Sequence, residues 1–165
     1  MIRTIIFGNS GSGKSTLAHR LASSERVEHL DLDTLAWKEP GVRQDIELST
    51  AQIVNFISRN EQWVIEGCYA SLIEAAIEHA REIIFLNPGT ESCQNNCRSR
   101  PWEPHKYASK EDQDKNLAML LDWVAQYPTR GDEFSLAAHQ ELFASFCGKK
   151  HELKSNEEAQ SFTCG

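Results

Sequence analysis

A parallel α/β sheet covered by helices on both faces is the fold class this sequence predicts, and three observations predict it. Apolar runs of strand length alternate with helical periodicities five times along the chain. The first run, residues 2–7, has almost no polar alternation, as expected of a parallel strand buried on both faces. It leads directly into Gly8-Asn-Ser-Gly-Ser-Gly-Lys-Ser-Thr16, a P-loop sequence set between a strand and a helix.

In order, the first strand carries Ile2, Ile5, Ile6 and Phe7. Gly8, Gly13, Lys14 and Ser15 then satisfy G-x-x-x-x-G-K-[ST]. A nucleoside triphosphate must leave water with several negative charges, so the loop has to offer many donors at close range. Gly8, Gly11 and Gly13 permit a nest of inward N–H groups, and the following helix aims its positive end at the same phosphates. Lys14 adds a mobile charge, and the Ser15 hydroxyl suits a magnesium ion bridging phosphate oxygens. The candidate nucleotide set is Gly8, Ser10, Gly11, Ser12, Gly13, Lys14, Ser15 and Thr16.

The helix of Leu17, Ala18, Leu21 and Ala22 is expected to run to about Ser24, followed by a strand from Glu28 to Leu32 that ends in the Asp31-Leu-Asp33 stretch. After a loop with Trp37, Pro40 and Gly41, Ser49-Thr-Ala-Gln52 has the form of a capping box opening a helix. Trp63-Val-Ile65 is the third strand, ending at Glu66-Gly67. Leu72, Ile73, Ala76, Ile77 and Ala80 mark a helix with one apolar face, and Ile83–Leu86 a fourth strand stopped by Asn87-Pro88-Gly89. A helix over about 91–98 precedes a proline-bearing loop at 99–108. A long helix capped near Ser109, a helix using Leu136, Leu142, Phe143 and Phe146, and a weak strand at 149–154 complete the pattern.

With 165 residues and 40 % hydrophobic content, residues 1–154 make one core, and the polar stretch 155–165 is expected to be a flexible tail. A net charge of −7 and a pI near 5.4 speak against general nucleic-acid binding. No apolar run approaches the roughly 20 residues of a membrane span, and residue 2 already enters a strand, so the expected location is cytoplasmic. The cysteines Cys68, Cys93, Cys97, Cys147 and Cys164 lack C-x-x-C spacing and are expected as reduced thiols; Cys93, Cys97 and His105 make a poor zinc set against ordinary buried thiols.

Three stretches carry a family resemblance: Gly8 to Thr16, Leu30-Asp-Leu-Asp-Thr-Leu-Ala-Trp37, and Trp63-Val-Ile-Glu-Gly-Cys-Tyr69. In these the chain resembles the small P-loop kinases grouped around adenylate, shikimate and gluconate kinases. It looks most like the bacterial adenylate kinase-like subgroup labelled topology modulation proteins. The resemblance implies a five-stranded sheet in the order 2-3-1-4-5, ATP and Mg2+ as cofactors, a small-molecule acceptor beneath strands two and three, and a lid at about 98–110. The activity implied is transfer of the terminal phosphoryl group to a hydroxyl, with catalytic residues Lys14, Asp33, Arg98 and Arg100. Asp31 and Glu66 would join Ser15 at the metal. Arg130 would be a third lid arginine at the nucleotide. The acceptor would meet Asp33, Trp37, Arg43, Glu66, Gly67 and Tyr69.

Each residue has a plainer alternative. Asp33 also suits a helix N-cap, Asp31 a solvated strand end, and Glu66 a cap for the helix starting near Ser71. Trp37, Tyr69 and Trp102 also suit core packing, and Arg98 and Arg100 solvated helix ends. The family's acceptor-phosphate arginines have no counterparts at 36–38 or 68–71, so a nucleoside monophosphate acceptor is disfavoured, with Arg43 the one nearby candidate. The second function class is an ATP-binding regulator or slow NTPase acting through a protein partner. Acceptor identity, the choice of ATP over GTP and oligomeric state carry no sequence signature here.

Overall fold

A computed structural model describes residues 1–23 and 26–163. In chain order the first elements are β1 (Arg3–Gly8), α1 (Lys14–Leu21), β2 (Glu28–Asp31), α2 (Asp33–Ala36), β3 (Trp37–Glu39), β4 (Val42–Arg43), α3 (Ile46–Arg59) and β5 (Trp63–Gly67). They are followed by α4 (Ala70–Ile77), β6 (Glu82–Leu86), α5 (Thr90–Arg98), α6 (Lys110–Ala125), α7 (Leu136–Ser145), β7 (Lys149–Leu153) and α8 (Asn156–Ser161). Five parallel strands pair in the order β2-β5-β1-β6-β7, and β3 and β4 form a separate antiparallel hairpin. Counting only the large sheet, this is the expected 2-3-1-4-5 arrangement.

Strand alternation divides the core. Ile5, Phe7, Ile65, Ile83 and Phe85 face one layer with Ile53, Leu72, Ile73 and Leu142 of the helices α3, α4 and α7. Ile6, Val64, Ile84, Leu86 and Leu153 face the other with Leu17 and Ala18 of α1. Both sides of the sheet are therefore apolar, which is why the strands show no polar alternation. A third cluster joins Cys93 and Cys97 of α5 to Val124 of α6 and lies outside the sheet.

Register places the chemistry. Asp31 pairs with Glu66, and Glu66 with Ile6, so the carboxyl ends of β2, β5 and β1 finish on one rim with the P-loop.

Several expectations are corrected. The helix α3 starts at Ile46, where the Asp45 carboxylate accepts from Glu47 N and Leu48 N; Ser49 lies inside the helix and donates instead to the Leu35 carbonyl. The earlier acid is the better cap because it takes two orphan donors at once. The loop around Trp37 contains α2 and the hairpin. Residues 155–165, expected to be a flexible tail, include α8: the Ser155 hydroxyl accepts from Glu158 N, and Glu158 accepts from Lys154 N, a local cap the polar composition obscured. The helix α1 ends at Leu21, and its expected end Ser24, like Cys164, lies outside the described residues.

Candidate functional site

The P-loop is built from backbone first. Gly11 and Gly13 have φ of 77° and 94°, the left-handed region that a glycine reaches without strain. A Cβ on Gly11 would lie 2.4 Å from the Cys93 carbonyl oxygen, so the loop's crown rests on α5. A Cβ on Gly13 would meet nothing within 4 Å, so that position borders open space. Asn9 holds the loop from behind: its Nδ2 donates to the Val124 carbonyl at 3.2 Å, and its own carbonyl accepts from Ser12 N and from Lys14 Nζ at 2.7 Å.

These features fit a polyphosphate. No side chain caps α1, leaving its first N–H groups to an external acceptor. The buried Ser12 Oγ has no hydrogen-bond partner. Lys14 is parked on a neutral carbonyl, a weak partner for an ammonium. Ser10 is half-buried, and Ser15 and Thr16 open α1 on the exposed side.

A metal would meet an oxygen-rich corner. Ser15 Oγ donates to Glu66 Oε1 at 2.6 Å, and Asp31 sits beside Glu66 in register. Glu66 is 2 % exposed; burial pushes its pKa up, but His29 (Nε2 at 3.7 Å), Lys14 and Ser15 outweigh this and hold the carboxylate below its usual range. At Asp31 the help from Asp33 N and Lys106 is outweighed. Burial, with the charges of Glu66 and Asp33, raises it to about 6. One hydroxyl and two carboxylates suit Mg2+, which keeps several waters, better than a metal needing an all-protein cage. Cys93 and Cys97 pack against Val124, and burial pushes both thiols up, Cys93 to about 11.

Facing this corner is Asp33, the first residue of α2. It makes no cap hydrogen bond; Asp31 Oδ1 instead accepts from Asp33 N at 2.9 Å, which frees the Asp33 carboxylate for the site. Tyr69 OH donates to its Oδ1, Trp37 Nε1 donates to Tyr69 OH at 2.8 Å, and Lys106 Nζ lies 3.3 Å from its Oδ2. Burial opposes the charge, yet Lys106, the Tyr69 hydroxyl and Lys14 prevail and hold Asp33 below the usual range. Lys14 thus acts on both Asp33 and Glu66.

Other candidates fall differently. Gly67 is explained by packing, since a Cβ there would lie 2.8 Å from the Leu32 Cβ, rather than by room for an acceptor. Glu66 caps no helix, because α4 starts at Ala70 after the N-cap residue Tyr69 and has no side-chain cap. The Arg43 guanidinium lies over Trp37, Tyr69 and Phe134 at 5.4, 4.9 and 5.7 Å and pairs with Glu133 at 3.4 Å. Trp37 stays 41 % exposed.

The three arginines expected at a lid are engaged by protein partners. Arg98 donates to Asn95 Oδ1 in an exposed position, and Arg100 pairs with Glu103 at 3.6 Å. Arg130 stacks on Trp123 at 3.2 Å and nears Asp132 at 3.8 Å, in the connection between α6 and α7. Trp102 donates to the Tyr107 carbonyl and is otherwise exposed.

Two residues missed in the sequence complete the site. Lys106 sits in a loop without periodicity, so nothing marked it except its charge. Asn9 occupies a variable position of the P-loop pattern.

The chain resembles a solved shikimate kinase from Bacteroides thetaiotaomicron at 17 % identity and a TM-score of 0.57, covering 97 % of this chain and 93 % of that one. It also matches an unliganded sugar kinase from Janibacter sp. HTCC2649 at 13 % identity and a TM-score of 0.48, covering 93 % and 85 %. No curated protein matches. Among the described residues no helix is long and apolar enough to cross a membrane. A family model described as AAA domain matches residues 4–116. That span exceeds half of the chain and contains the phosphate loop and all three rim carboxylates, so the chain belongs to the AAA domain family AAA_33, on a P-loop kinase fold.

Proposed function

We propose that this chain is an ATP- and magnesium-dependent phosphotransferase that moves the terminal phosphoryl group to a hydroxyl of a small molecule. The observation that carries the proposal is Asp33, kept ionised by Tyr69 and Lys106 on the rim shared with the P-loop, Ser15 and Glu66. A site that only binds nucleotide has no use for a second ionised carboxylate set apart from the metal corner.

In this scheme the amides of residues 8–16 hold the phosphates, and Lys14 leaves the Asn9 carbonyl for them. Ser15, Glu66 and Asp31 would hold the metal. Magnesium, when bound, supplies positive charge to phosphate oxygens and a fixed template. Asp33 orients the acceptor hydroxyl; with its pKa held low it accepts the proton only late, as the oxygen becomes acidic in transfer. Trp37 and Tyr69 form the acceptor's wall. The subgroup we favour is the adenylate kinase-like one, and the expected setting is the cytoplasm, without membrane or nucleic-acid partners.

A slow NTPase or nucleotide-dependent regulator is the second reading, favoured by one observation: Tyr69 and Lys106 already occupy both Asp33 oxygens. The test mixes Mg-ATP with pooled metabolites and follows ADP in wild type, Asp33→Ala and Lys14→Ala. Acceptor-stimulated turnover lost in both variants supports the kinase. Acceptor-independent turnover unchanged in Asp33→Ala supports the NTPase.

A further inference from the structure

The loop between α5 and α6 is a stapled turn. Trp102 Nε1 donates to the Tyr107 carbonyl at 3.0 Å, Gln113 of α6 donates to the Pro101 carbonyl at 3.0 Å and accepts from Glu103 N at 2.8 Å, and Asn116 donates to Tyr107 OH at 3.0 Å. This frame sends one side chain across the gap. Lys106 Nζ reaches 3.3 Å from Asp33 Oδ2, with Glu103 Oε1 behind it at 3.8 Å, and its side chain is 29 % exposed. Arg100 is consumed by the same Glu103, and Arg98 turns to Asn95. The cation that the lid delivers is the lysine.

Resting on the kinase reading, we infer that Lys106 is a catalytic cation with two successive partners: Asp33 in the free protein, and the phosphoryl group in transit. The distances require little movement. A hydroxyl held by Asp33 stands about 2.7 Å from a carboxylate oxygen, and the phosphorus it attacks about 3 to 3.5 Å further on. An ammonium already at that carboxylate reaches the phosphoryl oxygens by rotating its four-carbon stem.

The chemistry supplies the reason to move. As the bond from the acceptor oxygen to phosphorus forms, the bond from phosphorus to the bridging oxygen of the departing ADP breaks, and the hydroxyl proton passes to Asp33 late, once that oxygen has become acidic. Negative charge at that stage lies on the phosphoryl and leaving oxygens, and the ammonium follows it. A mobile point charge suits such an exchange better than a guanidinium fork fixed on one planar partner. Lys106 and Lys14 then enclose the phosphoryl group from the lid and the P-loop.

The test is calorimetric binding of Mg-ADP with and without aluminium fluoride, a mimic of the phosphoryl group in flight, to wild type, Lys106→Met and Lys106→Arg. Wild type should bind Mg-ADP more tightly when the fluoride is present. Lys106→Met should keep its affinity for Mg-ADP alone within about twofold while the fluoride-dependent gain falls roughly tenfold or more, with part of it regained by Lys106→Arg. A Lys106→Met protein with the full gain overturns the inference. So does a wild type that binds Mg-ADP but ignores the fluoride, which would leave nucleotide binding standing. A wild type that binds no Mg-ADP removes both.

Discussion

Two glycines of one loop have different jobs. Gly11 and Gly13 share a positive φ, yet a Cβ at Gly11 collides with the Cys93 carbonyl and Cys97 Sγ, whereas a Cβ at Gly13 projects into open space at the mouth of the cradle. Gly13→Ala should cost only the left-handed strain, about 1 to 2 kcal/mol, while its methyl group stands where phosphate oxygens would lie. Gly11→Ala adds a backbone clash that α5 must move to relieve, so it should melt lower. Thermal melts and Mg-ADP titrations of both variants separate the effects: Gly13→Ala folded but without nucleotide affinity, Gly11→Ala markedly destabilised. A Gly13→Ala protein binding Mg-ADP like wild type would show that the cradle lies elsewhere. At this scale the sequence was informative where a motif fixes spacing, as for Gly8 to Thr16, and where a strand's end dictates the rim, as for Asp31, Asp33 and Glu66. It was silent on Lys106, because a lysine in an aperiodic loop acquires its partner only through the turn that Gln113 and Asn116 staple.

Among the elements, the five strands and most helices were legible because burial on both faces writes a continuous apolar run and burial on one face a 3.6-residue stripe. The C-terminal helix was not, since it buries little and is held by polar ties. Asn96 of α5 donates to the Gly11 carbonyl at 2.8 Å and exchanges amide hydrogen bonds with Asn156 at the start of α8, each 3.0 Å. At the other end the Arg20 guanidinium of α1 donates to the carbonyls of Ala159, Gln160 and Phe162. The segment expected to be loose is thus tied to the P-loop and to the helix that follows it. Arg20→Met removes three charge-assisted bonds to backbone; at an exposed site about 1 kcal/mol of stability should go with them, and hydrogen exchange should accelerate across residues 156–161. Asn156→Leu acts at the other end: it should weaken Mg-ADP binding several-fold while leaving the melt within a few degrees, because one amide pair is lost and Gly11 is less restrained. Unchanged exchange in Arg20→Met would show that α8 is held by the Asn96–Asn156 pair and the packing of Ala159 and Phe162 without the arginine.

Across the whole molecule, the buried His139 and the partly buried Asp31 give stability opposing slopes with pH. His139 of α7 is fully buried, and burial first, then Lys14, lowers its pKa to about 4. Its Nε2–H donates to the Cys68 carbonyl and its Nδ1 accepts from Tyr127 OH, which fixes a neutral ring between α7 and the end of β5. The unfolded chain takes up this proton near pH 6.5 and the folded one only near 4, so the contribution is full above 6.5 and is lost as pH falls to 4, roughly 3 kcal/mol in all. Asp31 runs the other way. Its folded pKa of about 6 lies above the ordinary 3.8, so the folded state holds the proton longer, and stability falls by on the order of 3 kcal/mol as pH rises from 3.8 to 6. Asp33 and Glu66, both depressed, act below the ordinary carboxylate range and leave this window to the other two. Urea denaturation of the ligand-free protein should therefore give nearly level stability between pH 4.5 and 6. Asp31→Asn, which keeps the oxygen that accepts from Asp33 N, removes one slope: stability should climb with pH and exceed wild type at pH 7. His139→Gln removes the other, so stability should fall as pH rises through the same window. If Asp31→Asn gains nothing at pH 7, the carboxylate is not held against its own charge in the free protein, and the metal corner is already compensated by the chain itself.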